Sequence, residues 1–249
     1  MKNNSSKKVK LKIFRTLKHT ITEWYRDFNN YSKLVLAVAI PVAILTIIQA
    51  DGNLGDFGLL MGFALAFMSL AIIEYGSNKV SLENKKITTV YTSGSGRCLQ
   101  FLGTFFVMIF FSVPAVASIS AILTAVLDPQ SSSLIMLTLG LVGVALSVFL
   151  LVRFSLAQVL AVGKRQSVYR SLVNSQAITK GNRLKIFFGF FLILAVIIAI
   201  ASGIQFILGI RQSINENIFL NYAVYVIEVT VFLPIFYVYQ IKLVEELNG

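Results

Sequence analysis

Three ionisable residues, Glu74, Arg153 and Glu228, interrupt otherwise apolar runs, where a charge is expensive. Insertion scales put that cost at about 2.5–3.5 kcal/mol at the centre of a span, so such groups are kept where they pair or carry function. Arg153 lies about ten residues inside its run from the cytoplasmic end, and Glu74 is placed at a comparable depth. An Arg153–Glu74 ion pair is expected; the alternative is that Arg153 reaches headgroup phosphates alone. Glu228 lies near the middle of its run, roughly 16 Å from the outer end at the helical rise. It is expected to hydrogen-bond to another helix, with Ser112, Ser118 and Gln205 as candidates, or else to form an ion-coupled site. A second set is basic: Arg97, Arg165, Arg170, Lys180, Arg183 and Lys185 stand beside apolar runs, where they would meet anionic headgroups. Beyond these the chain offers little chemistry. A single cysteine, Cys98, and a single histidine, His19, exclude a disulfide framework, a cysteine-rich zinc site and a His-pair metal motif. The SGSG at 93–96 lacks the lysine-containing continuation of a phosphate-binding loop. No catalytic residue, metal or cofactor is expected.

The elements that hold these residues follow from composition. Of 249 residues, 56% are hydrophobic and 13% charged, against about 25% charged in soluble domains. Six apolar runs stand out, at about 34–50, 57–75, 99–127, 134–162, 186–210 and 218–241. Several reach the roughly 20 residues that cross a bilayer. None alternates like a barrel strand, so all six read as helices. The fold class is therefore all-α, a polytopic six-span bundle over residues 34–249. Pro114 and Pro234 fall inside runs and are expected to kink them.

Residues 1–33 are basic. Leu11, Ile13, Phe14, Leu17, Ile21, Trp24, Tyr25 and Phe28 recur there at three- and four-residue spacing. That pattern predicts a cytoplasmic amphipathic helix over 10–28 lying on an anionic membrane surface, the alternative being a disordered tail. A cleaved signal peptide does not fit so long a basic start.

The charges set the topology. Twenty of the 22 Lys and Arg residues fall on one flank, Arg211 falls on the other and Arg153 lies within a run. The excess of positive charge on the inner side then places both termini in the cytoplasm. The net charge of +11 is absorbed by orientation and by anionic lipid, so nucleic acid is not an expected partner.

An internal repeat also shows. With Arg97 set over Arg183, RCLQFLGTFF lies on RLKIFFGFFL, sharing the Arg, a Phe four on, a Gly six on and a Phe eight on. We read three parallel units, each a basic cytoplasmic segment followed by a helical hairpin.

The stretch VRFSLAQVLAV (152–162), a short basic loop, and then SLVNSQAITKGNRLKIFFGFF (171–191) resemble a bacterial family. These are the uncharacterised YciC-like inner-membrane proteins and the related membrane domain of glycerophosphoryl diester phosphodiesterase. The family's pattern falls here on Arg153, on Ser171 or Ser175, and on Thr179, Lys180, Gly181 and Asn182. The resemblance implies a membrane-embedded helical module, with no established reaction to carry over. The soluble phosphodiesterase domain of the larger relatives is absent from this sequence.

The leading expectation is a non-enzymatic multi-pass protein of the cytoplasmic membrane. It would bind anionic lipid at its inner face, or serve as a scaffold or subunit for a protein partner or a second copy. The alternative is a small transporter or lipid-translocating protein using Glu228 and the kinked helices.

Overall fold

The computed structural model describes residues 11–48, 54–78, 87–127, 134–207 and 218–248. Among them are ten helices and no strand. In chain order they are α1 (Ile13–Arg26), α2 (Phe28–Ile48), α3 (Leu54–Ser77), α4 (Ile87–Ser95), α5 (Cys98–Leu127), α6 (Leu134–Phe154), α7 (Ala157–Gly163), α8 (Val168–Thr179), α9 (Arg183–Ile207) and α10 (Ile218–Asn248). Five are long and apolar enough to cross a membrane: α2, α5, α6 together with α7, α9 and α10. The run expected at 57–75 falls in α3, whose apolar part Met61–Ser77 is shorter.

The order of lengths repeats three times. A short helix, a tight turn and two long helices recur as α1–α2–α3, α4–α5–α6 and α8–α9–α10. The turns are Asp27, Gly96–Arg97 and Lys180–Asn182. Gly181 takes a φ of +90°, which a residue with a Cβ adopts only at a cost. The helix α7 is the one described element outside this pattern.

Packing concentrates at one end. Every residue from 155 to 162 is buried, because α7 is enclosed by α3, α5, α8 and α10. Around it lie Met68, Leu70, Ile72 and Ile73 of α3, Phe101 of α5, and Tyr237, Val238 and Leu243 of α10. Away from that end the helices turn apolar side chains outward. On α5 these include Phe106, Phe110, Val116 and Leu123; on α6, Leu139, Val142 and Leu146; on α9, Leu194 and Ile198. Such a surface would aggregate in water and is at home in lipid. Lipid tails are as apolar as leucine, so close packing rather than hydrophobic expulsion must join these helices. The α5–α6 hairpin shows how: a Cβ at Gly143 would collide with Ser118 Oγ.

Three prolines lie inside helices: Pro41 in α2, Pro114 in α5 and Pro234 in α10. The run 134–162 is not one helix. It breaks at Ser155–Leu156, and the break positions the candidate site.

Candidate functional site

A helix that stops inside a protein leaves carbonyls and N–H groups that need partners. At the α6–α7 break these come from α8. Ser175 Oγ donates to the Arg153 carbonyl at 3.0 Å and accepts the Leu156 N–H at 3.3 Å. Thr179 Oγ1 adds a donor to the same Arg153 carbonyl at 3.3 Å. Ser171, Ser175 and Thr179 form one fully buried line, four residues apart along α8. Thus Arg153, Ser175 and Thr179, singled out in the sequence, meet at one point. Ser171 instead bonds its own helix, at the Val168 carbonyl.

The break opens a groove. A cavity of about 380 Å³ lies between α6, α9 and α10, walled by Val148, Val152, Phe187, Phe190, Leu194 and Phe236. Ser155, Gln158 and Gln240 also line it, close to the break. Gln158 Oε1 accepts the Tyr237 hydroxyl at 3.3 Å. Gln240 is only 2% exposed, and its Oε1 is buried without a hydrogen-bond partner. Two arginines stand close in the chain to lining residues but do not themselves line the groove. Arg153 follows the lining residue Val152, with its Cζ 5.3 Å from the Phe154 ring centroid. Arg183 stands one turn before Phe187, with its Cζ 4.8 Å from the Phe149 ring centroid. The Nε of each is buried and has no hydrogen-bond partner. The apolar groove and the orphan acceptor on its lining residue Gln240 suit an amphiphile with a polar end and an apolar tail.

The expected Arg153–Glu74 ion pair does not form. Glu74 is 3% exposed, and its Oε1 accepts the Ser93 hydroxyl at 2.7 Å from α4. The physical reason is lateral position: α3 packs chiefly on α2, α4, α7 and α10, so Arg153 on α6 is out of reach at equal depth. Glu228 is half-buried on α10, away from the groove lining. Of its expected partners, Ser112 donates to Ile109 in its own helix, and Ser118 faces the glycines of α6. The Gln205 side chain lies outside the described residues.

The six basic residues divide. Arg165, Arg170 and Lys180 are exposed with no acidic partner among the described residues. Close to them in the chain, Tyr169 is 76% exposed and Leu184 74% exposed. Arg165 carries a positive φ of 53°, in the left-handed region. Arg97, Arg183 and Lys185 are half-buried, and Lys185 Nζ donates to the Leu11 carbonyl at 3.3 Å. Arg97 and Arg183 occupy like places, at the turn into α5 and the first residue of α9. The glycines six residues on are both close-approach points. A Cβ at Gly103 would meet Val168 Cγ2 at 2.7 Å, and one at Gly189 would collide with the Tyr239 hydroxyl oxygen.

Sequence reading missed an ion cluster between α1 and α10. Lys242 Nζ lies 2.6 Å from Glu23 Oε2 and 2.6 Å from Glu245 Oε2. Thr16 donates to Glu246, and Arg15 lies 3.9 Å from it. Its signal in the sequence was the basic Lys242 next to the two acids of the C-terminal tail.

No family model, curated protein or solved structure matches the chain. What the fold itself defines is a class, the all-helical multi-pass membrane proteins, on the strength of five helices long and apolar enough to cross.

Proposed function

We propose that this is a non-enzymatic six-span protein of the bacterial cytoplasmic membrane that binds anionic lipid through a basic inner rim. The sixth span is α3, and both termini face the cytoplasm under the positive-inside rule. The resemblance to YciC-like membrane modules points the same way. One observation carries the reading: on α8 and its flanks, Arg165, Arg170 and Lys180 are exposed without an acidic partner among the described residues, and Tyr169, Val173 and Leu184 are exposed as well. A surface that mixes unpaired bases with large apolar side chains suits the headgroup layer of an anionic leaflet. The helix α1 extends that rim. It buries Thr16 and Thr20 with Ile13, Leu17 and Trp24 against the protein, and exposes Phe14, Ile21 and Tyr25.

The apolar groove favours this lipid-binding reading over transport through Glu228, because Glu228 is not part of its lining. The test is thermal unfolding in mild detergent with added phosphatidylglycerol or phosphatidylcholine. Phosphatidylglycerol should raise the midpoint, and a triple Arg165→Gln, Arg170→Gln, Lys180→Gln variant should show a clearly smaller rise. Equal shifts from both lipids in the natural protein would refute the rim.

A further inference from the structure

We propose that the groove between α6, α9 and α10 holds one acyl chain of an inner-leaflet phospholipid, with the lipid's polar end on Gln240, Arg153 and Arg183. The inference rests on the membrane orientation given above, and adds a single built site to a diffuse rim.

The wall of the groove is aliphatic and aromatic, and it follows α9 from Phe187 to Ile197. Ten residues of helix cover about 15 Å, which suits an extended alkyl chain. The polar lining gathers near the break, where Ser155, Gln158 and Gln240 lie. In the proposed orientation that end faces the cytoplasm, and the chain runs from it toward the bilayer centre. Outward-facing Leu194, which also lines the groove, marks a side open to lipid.

The unmet polar groups define the headgroup. A buried polar atom without a partner is costly, and a native fold keeps few. One such atom, Gln240 Oε1, belongs to a lining residue of the groove, and two more, the Nε atoms of Arg153 and Arg183, belong to residues next to Val152 and one turn before Phe187. The two Nε–H groups would donate to phosphate oxygens, with charge assistance. Gln240 Oε1 would accept from a headgroup hydroxyl or ammonium. A phospholipid supplies a phosphate, such a donor and a chain in one molecule. A fatty acid lacks the phosphate, and a free phosphate lacks the chain.

The experiment is native mass spectrometry of the full chain, released from mild detergent after titration with phosphatidylglycerol. The natural protein should retain one phosphatidylglycerol per chain. Leu194→Trp, which fills the groove from its lipid side, should lose it with an unchanged melting temperature before lipid is added. Gln240→Leu should also lose it. The triple rim variant should keep it, which separates this site from the rim. The proposal falls if the natural protein retains no lipid, retains detergent alone, or pairs with a second copy through this groove. It also falls if Leu194→Trp binds phosphatidylglycerol as the natural protein does. A reduced lipid-dependent stabilisation in the rim variant, with the single lipid still bound to it, supports both sites.

Discussion

Ser175 holds both sides of a broken helix: its hydroxyl donates to the Arg153 carbonyl at 3.0 Å and accepts the Leu156 N–H at 3.3 Å. Without it, the last turn of α6 and the first residues before α7 would carry unmet polar groups in a buried place. Removing one partner of a buried hydrogen bond costs about 1–3 kcal/mol. Ser175→Ala should therefore lower the unfolding midpoint clearly, and Thr179→Val should lower it less, because Arg153 keeps Ser175. Thr92→Ala is the control, since Thr92 is exposed and bonds only its own helix, at Thr89. Thermal unfolding in detergent reads all three.

Much of this arrangement was legible in the chain, and the limits have physical causes. Apolar runs give the long helices because backbone groups in lipid must be satisfied within the helix. The break at Ser155–Leu156 was hidden, since VRFSLAQVLAV has no glycine or proline to mark it. The partners that permit it lie 19 to 26 residues later, on α8. The expected Arg153–Glu74 pair failed for a related reason: depth along a span follows from residue number, but which helices are neighbours does not. The Lys242 cluster joins α10 to Glu23 of α1, a tertiary pairing that no local pattern reveals.

The repeat makes its own prediction. If Gly103 and Gly189 serve equivalent close approaches, then Gly103→Ala and Gly189→Ala should both destabilise. Overpacking of this kind costs about 1–3 kcal/mol. The larger effect should be at Gly189, where the new Cβ meets buried Tyr239. Gly62→Ala meets nothing within 4 Å and should be neutral or stabilising. Unfolding midpoints of the three variants decide this.

Arg165 separates stability from lipid binding. Its φ of 53° is a left-handed conformation, which costs a residue with a Cβ roughly 1–2 kcal/mol. Arg165→Gly should relieve that strain, so its midpoint without lipid should match or exceed that of the natural protein. The same variant should respond less to phosphatidylglycerol, having lost one exposed base. The two effects have opposite signs, so a general loss of folding cannot imitate them.

Tyr91 gives a pH dependence. Its hydroxyl donates to the Leu34 carbonyl at 2.5 Å, tying α4 to α2. Burial pushes its phenol from 10.0 up to about 12. The folded value is raised, so the stabilisation is complete below 10.0 and is lost as pH climbs through about 12. Between those values only the unfolded chain ionises. Tyr91→Phe should flatten that part of the stability profile. Thermal melts between these two pH values, compared with the natural protein, provide the check.

The central claim is that the basic flank is cytoplasmic and that the chain crosses the membrane six times. Single cysteines placed in a Cys98→Ser background test it most directly. Lys180→Cys reports the exposed basic turn, and Gln212→Cys reports the 211–217 segment proposed to face outward. A membrane-impermeant maleimide applied to intact spheroplasts should label Gln212→Cys alone, and in inverted vesicles Lys180→Cys alone. Labelling of both positions from the same side, or of Lys180→Cys from outside, would contradict the account.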